Sequence, residues 1–369
     1  MDFYGHVIDG AEVSSIDGAT MPDIDPYTRE QWATIALGGK ADADLAVQAA
    51  RRAFDEGPWP RMGYEKRQAL IHRLADLMEE HADELAMADT RDMGKPITQA
   101  RHDVARSVWN FRFFADHARM TASDAYPMDS GHHAYTRFDP VGVTVAISPW
   151  NFPLMLGTWK VAPALAWGNT VVWKPAEDTP VSATIVARLA IEAGFPPGVL
   201  NVVHGYGPDS AGAALTSNPD VDRITFTGES GTGKIIMGAA SKNLIPVSLE
   251  LGGKGANVIF DDADLDNAVD WAVQAIFRNA GQICLSGSRI YVQSGIYDAF
   301  LARFQAQAEA LKKGDPKDAS TEFPLALASE EHFGKVRGYI ESLPQDGGRV
   351  LSGGVGEGWS VLPTIIVDA

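Results

Sequence analysis

The chain has 369 residues, 48 of them acidic against 31 basic, a formal net charge of −17 and a single cysteine. One thiol excludes an intrachain disulfide and a zinc cluster built on several thiolates, and it points to a reducing, cytoplasmic compartment. The acidic balance repels nucleic-acid phosphates and anionic membranes, and no stretch approaches the roughly 20 apolar residues needed to span a bilayer, so neither nucleic acid nor membrane is expected as a partner.

The length allows about two domains, and the opening MDFYGHVIDG carries an acid and no apolar run flanked by basic residues, so no export signal is expected. The first third reads helical. Helices are expected over 42–54, over 65–95, where Leu70, Ile71, Leu74, Leu77 and Met78 share one face until Gly94-Lys95-Pro96 ends the pattern, and over 97–119. AYPMDSGHHAYTRFDP follows, and its central Gly131 between alternating segments suggests a projecting hairpin at 121–140. From Val141 the period changes. Short β-rich runs (VGVTVAIS, NTVVWKP, GVLNVVHG, DRITFTG, PVSLELGG) alternate with helical ones (LMLGTWKVAPALAWG, VSATIVARLAIEAG, GTGKIIMGAAS), which predicts an α/β fold with a parallel sheet, helices on both faces and ligands at the carboxyl ends of the strands. A second α/β segment is expected after Gly253, with ANVIF as a strand, LDNAVDWAVQAIFRNAG as a helix and VLPTIIVDA as a last strand.

Several constellations carry chemistry. Cys284 lies in GQICLSGSR, at the end of a helical pattern, where Gly281, Ser286 and Gly287 let backbone N–H groups approach; a thiolate there is a nucleophile beside a ready oxyanion site. The opposing account is a small buried hydrophobe. Glu250 in SLELGGK sits at the end of an apolar strand, where an apolar pocket would raise its pKa toward that of a general base; an ordinary loop acid is the alternative. In PWNFP two prolines fix the backbone around Asn151, so its amide is held as an oxyanion donor must be, unless Asn151 merely caps the next helix. Lys174 and Glu177 in WKPAEDTP are placed to hold ribose hydroxyls.

The run GESGTGK, Gly228 to Lys234, lies between a strand and a helix and nearly matches the P-loop pattern, so a nucleotide hydrolase stands as the competing reading. Ile235 replaces the hydroxyl that would ligate magnesium, and the spacing G-x-x-G-x-G is not the dinucleotide fingerprint either. DDADLD, Asp261 to Asp266, lacks the glycine and closing glutamate of a calcium loop and is better read as capping the helix that follows. The histidines show no ligand pairing, and no metal is assigned.

Taken in order, PWNFP, WKPAEDTP, FTGESGTG, LELGGK and GQICLSGSR resemble the aldehyde dehydrogenase superfamily over nearly the whole chain. The resemblance implies a Rossmann-like NAD-binding domain (1–120 and 141–252), an oligomerisation hairpin (121–140) and a catalytic domain (253–369), with NAD as cofactor and an aldehyde oxidised to its carboxylate. It implies Cys284 as nucleophile, Glu250 as general base, Asn151 as oxyanion donor, and Trp150, Lys174, Glu177, Gly228, Ser230, Gly233 and Leu251 around the cofactor. The carboxylate of Glu177 favours NAD over NADP by repelling a 2′-phosphate. Two departures stand out. Glu229 replaces the family's usual serine, with Ser230 as a substitute, and the family's later Glu-Ile-Phe-Gly-Pro motif and oligomerisation strand are not in this sequence, so a truncated catalytic domain, and with it a non-catalytic homologue, is a further alternative. A homodimer or homotetramer is expected for the full fold. The GES loop and NFRFFAD are similar to the branch that oxidises muconic semialdehydes. Arg101, Arg106 and Arg112 are the candidates to pair with a substrate carboxylate, Arg101 first.

Overall fold

The computed structural model describes residues 2–368. Before any helix, the chain forms five strands that the helical reading of the first third did not anticipate: β1 (Asp2–Tyr4), β2 (His6–Ile8), β3 (Ala11–Val13), β4 (Thr20–Asp25) and β5 (Glu30–Ala36). The reason is visible in β4. Met21, Asp23 and Asp25 are buried while Thr20 and Pro22 are exposed, a period of two in which acids occupy inward positions and mask the apolar alternation. Helices α1 (Lys40–Asp55), α2 (Tyr64–Glu80), α3 (Ala82–Met93) and α4 (Ile97–Met120) follow. The periodic run 65–95 is thus two helices, broken at His81, whose φ of −100° and ψ of 22° leave the helical region. Gly94, at φ +75°, ends α3 in the left-handed conformation that glycine adopts without penalty. β6 (Ala125–Tyr126) and β7 (Ala134–Tyr135) pair antiparallel as a small hairpin.

The main sheet is built by β8 (Val143–Ile147), β9 (Thr170–Lys174), β10 (Leu200–Val202), β11 (Arg223–Gly228) and β12 (Val247–Leu251), connected through α5 (Pro153–Ala166), α6 (Val181–Glu192), α7 (Ala211–Ser217) and α8 (Ser230–Ala240). Its order is β12-β11-β8-β9-β10-β2-β3; the first five strands run parallel, and β2 and β3 close the edge antiparallel. Val143, Val145, Val171 and Val172 are completely buried because helices cover both faces, which is why these strands read as continuous apolar runs. The chain winds outward from β8 to β10, then returns past β8 to build β11 and β12. The crevice outside the carboxyl ends of β8 and β11 is therefore a topological switch point, where a doubly wound sheet binds ligands.

The remainder holds β13 (Ala256–Ile259) parallel to β14 (Arg289–Val292), α9 (Leu265–Phe277), α10 (Tyr297–Ala310), the two-residue strands β15 (Lys313–Gly314) and β16 (Phe323–Pro324), α11 (Glu330–Ser342), and the antiparallel pair β17 (Arg349–Val355) and β18 (Val361–Val367). Phe277, Phe300, Phe304, Phe323 and Ile365 form its core. The acidic run before α9 does what capping requires: Asp264 accepts from the Asn267 amide at 3.2 Å.

Candidate active site

Directly after α9 the backbone turns through three consecutive left-handed residues, Asn279 (φ 52°), Ala280 (φ 54°) and Gly281 (φ 76°). Two of them carry a Cβ, so the conformation costs of order 1–3 kcal/mol at each and persists only if its surroundings fix it. They do so by hydrogen bonds. The Asn279 amide N–H donates to Gln99 Oε1 (3.1 Å), its Nδ2 to the Asn151 carbonyl (3.1 Å), and Gln282 Nε2 donates to the Asn279 carbonyl (3.1 Å). Gln282 Oε1 accepts from the Ala328 amide at 3.0 Å. In return, Asn151 Nδ2 donates to the Gln282 carbonyl at 2.9 Å. The PWNFP loop and the turn before Cys284 are thereby locked to one another by reciprocal bonds.

Asn151 does not cap α5, whose N-cap is Phe152. Its amide carries two hydrogens; one is engaged by Gln282 and the other remains available. Cys284 is exposed, and its own N–H makes no hydrogen bond among the described residues. Two free donors therefore flank an accessible thiol. The buried-hydrophobe account of Cys284 does not hold. A Cβ placed on Gly253 would lie 3.7 Å from the Cys284 carbonyl oxygen, so the LELGGK segment abuts the cysteine loop. Glu250, paired in register with Thr227, projects from the end of β12 exposed rather than enclosed in an apolar pocket.

Sequence reasoning missed Lys160. It sits in α5, where a lysine in the apolar run LMLGTWKVAPALA was the available signal, and it is 6% exposed. Its Nζ donates to Thr227 Oγ1 at 2.5 Å. Burial lowers its pKa to about 8, with the Glu250 carboxylate opposing that shift. A buried lysine thus lies within electrostatic reach of the Glu250 carboxylate.

On the cofactor side, α8 begins at Ser230, with Glu229 as N-cap and no side chain capping the first turn, so free amide N–H groups face the switch point. Gly231 and Gly233 lie inside this helix, not in a cradling loop before it, which removes the structural basis of the P-loop reading. Gly233 has no room for a side chain: a Cβ would come within 2.7 Å of Leu251 Cδ2, so glycine lets α8 lie against β12. At Gly228 a Cβ would meet the Phe226 ring at 2.5 Å. Lys174, buried at the end of β9, places Nζ 3.4 Å from Glu177 Oε2 and donates to the Pro175 carbonyl. Burial lowers its pKa, and Glu177 works against that shift. Trp150 packs on His332 of α11 with ring centroids 4.6 Å apart; burial pushes the His332 pKa down to about 4, helped by Lys335 and Lys254. Glu229 pairs with Lys335 at 3.0 Å, so its charge at the helix N-terminus is met by a cation. A bare helix N-terminus, two crowded glycines and a Lys–Glu pair fit a dinucleotide.

The candidate carboxylate-binding arginines separate cleanly. Arg101 pairs with Asp83 (2.9 Å) and Arg112 with Asp76 and Glu79 (2.8 and 2.6 Å). Both are thus neutralised by neighbouring helices, so the structure does not favour Arg101. Arg106 has no carboxylate partner among the described residues, and its guanidinium lies 4.0 Å from the centroid of the Trp109 ring. Gln99, Asp103, Arg106 and Asn110 recur on one face of α4. Gln99 meets Asn279, Asp103 faces Arg278 at 3.9 Å, and Asn110 donates to Thr158 of α5 at 2.9 Å. Arg106, exposed and stacked on Trp109, shares the helical register of these residues and lies at the solvent edge of that face of α4.

A doubly wound sheet with a switch point, joined through Asn151 and Gln282 to a loop bearing an exposed thiol, has the architecture of a nucleotide-dependent oxidoreductase. The aldehyde dehydrogenase family matches residues 13–369, and the chain belongs to that family. It is 46% identical over 354 residues to 2-hydroxymuconic semialdehyde dehydrogenase of Pseudomonas sp. (strain CF600), covering 95% of this chain and 72% of that protein. It is 45% identical over 360 residues to the mitochondrial aldehyde dehydrogenase of Homo sapiens, covering 96% of this chain and 69% of the relative. The NAD+ complex of aldehyde dehydrogenase from Bacillus cereus superposes with a TM-score of 0.97 at 40% identity, over 100% of this chain and 75% of that one. The chain is an NAD-dependent aldehyde dehydrogenase, and the hydrolase and non-catalytic readings fall away. Among the described residues no helix is long and apolar enough to cross a membrane.

Proposed function

We propose that the chain oxidises a semialdehyde bearing a carboxylate, through a covalent intermediate on Cys284. The observation that carries this is the convergence of an exposed thiol, its free N–H and the half-engaged Asn151 amide, with Arg106 left as an unpaired cation on the adjoining helix face. The Cys284 thiolate adds to the aldehyde carbon. The oxygen of the resulting thiohemiacetal takes its negative charge toward the Asn151 amide and the Cys284 N–H. NAD, when bound, supplies the hydride acceptor. Glu250 takes a proton from the water whose oxygen attacks the thioester carbon and releases the Cys284 thiolate, and the Lys160 ammonium offsets the negative charge of the carboxylate beside it. Lys174 and Glu177 hold the ribose hydroxyls, while Trp150, Gly228, Ser230, Gly233 and Leu251 shape the diphosphate end.

The test is Cys284→Ala. The variant is expected to bind NAD as the wild type does and to lose both dehydrogenase and esterase activity; undiminished esterase turnover would place the chemistry elsewhere. The substrate class is tested with Arg106→Ala against acidic and neutral aldehydes. The expected result is a rise in KM on the order of tenfold or more for the acidic aldehydes alone. Equal loss on both would remove Arg106 from substrate recognition.

The reading keeps a cofactor-binding unit (1–120 and 141–252), which also contributes Asn151, Lys160 and Glu250 to the site, and a unit carrying the cysteine (253–369). Exposed Tyr126, Met128 and Tyr135 support the hairpin as a contact between copies in a homodimer or homotetramer, to be read by light scattering of the protein with and without residues 121–140. The lone free cysteine suits a cytoplasmic setting.

A further inference from the structure

Beneath the site lies a set of buried charges that the chemistry above does not use. Lys95, completely buried, donates to Asp103 Oδ2 at 2.5 Å, and its Nζ lies 3.7 Å from the centroid of the Phe152 ring. Asp103 is 1% exposed; its Oδ1 accepts no hydrogen bond and lies 3.9 Å from the Arg278 guanidinium. Asp89, also completely buried, adjoins Lys95 and the Leu154 amide in the first turn of α5, and burial raises its pKa to about 6. Phe152 follows Asn151 in sequence, and Arg278 precedes Asn279, the first residue of the strained turn that leads to Cys284. One ion network therefore touches both backbone segments of the active site, one through an aromatic face and the other through a guanidinium.

Apolar side chains of the same volume would fill this space at least as stably, since desolvating a buried ion pair offsets most of its attraction. What charges add is direction. The Asp103 carboxylate fixes Lys95 against Phe152 and draws Arg278 toward α4, on the same helix face where Gln99 holds the Asn279 amide. We propose that Lys95, Asp103 and Arg278 are positioning residues that set the distance between the Asn151 amide and the Cys284 thiol. This rests on the roles proposed above for Cys284 and Asn151.

The experiment uses the whole chain with NAD and a substrate aldehyde, and reads three quantities: kcat, KM for NAD, and the rate at which iodoacetamide alkylates Cys284, the only thiol. Asp103→Asn keeps the shape and removes the charge; Arg278→Gln does the same from a half-exposed position that folding tolerates; Arg278→Lys restores the cation. The expected result for the first two is a fall in kcat on the order of tenfold, a several-fold change in alkylation rate and an unchanged KM for NAD, with substantial recovery in Arg278→Lys. Wild-type kcat and alkylation in both, with only a lowered melting temperature, would overturn the proposal. If Asp103→Asn does not fold, Arg278→Gln decides alone. Cys284→Ala run in parallel separates the two levels: activity in that variant removes the assignment of the thiol, whereas its inactivity beside unaffected Asp103→Asn and Arg278→Gln removes only the positioning role.

Discussion

The two halves of the molecule hold their functional groups by different means. In the main sheet, β8 and β9 are buried at every position, and the sheet is clamped between helices. In the region after Gly253, β13 exposes Ala256 and Val258, Phe260 and Trp271 face outward, and the cysteine turn adopts left-handed backbone that hydrogen bonds to Gln99, Asn151 and Gln282 maintain. Dense packing gives a site precise strand ends. Polar pins give a thiol an exposed, strained and still ordered perch. Stability and catalysis should therefore be separable by mutation, the first lying in the sheet and the second in the pins.

The largest expected effect is on the pins. Asn151→Ala removes the proposed oxyanion donor and the bond to Gln282 together, so kcat should fall on the order of a hundredfold or more, while the melting temperature changes little; steady-state kinetics beside a thermal melt shows whether the two separate. Val172→Ala, in the middle of the buried sheet, should do the opposite. A cost of about 2 kcal/mol from lost burial and a residual cavity, seen in denaturant unfolding, should accompany a kcat close to wild type; a comparable fall in kcat would show that the halves are not independent.

A comparable effect, visible only as pH changes, is expected at Asp89 in α3. Burial raises its folded pKa to about 6, above the ordinary aspartate value of 3.8. The folded state thus binds the extra proton, and the stability this group contributes is full below about pH 4 and is lost as pH rises through about 6. Asp89→Asn cannot titrate. Relative to wild type it should gain on the order of 1–3 kcal/mol between pH 4 and 7, read as melting temperature against pH; a constant difference across that range would mean Asp89 does not titrate as its burial requires.

Much of the cofactor half was legible because strands buried on both faces must be apolar and helices between them must repeat every 3.6 residues. The N-terminal strands were not, since β4 buries Asp23 and Asp25 at positions where a pattern search expects apolar side chains. The break at His81 was hidden by an apolar stripe that continues across it. Among site residues, the thiol, the carboxylate and the amide announced themselves by glycine, proline and strand-end settings. Lys160 did not, and Arg106 stood among three candidate arginines with Arg101 ranked ahead of it.

The sequence by itself determined the period of each element in the sheet, the lone thiol and the ordered motifs, because these depend on residue type and spacing along the chain. Only the tertiary structure decided which arginine remains a free cation, that a buried lysine faces Glu250, and that Gln282 and Asn279 tie two distant loops together. Those properties come from partners that the fold brings together from different elements, whose charges and hydrogen bonds act through space and leave no periodic trace in the chain that carries them.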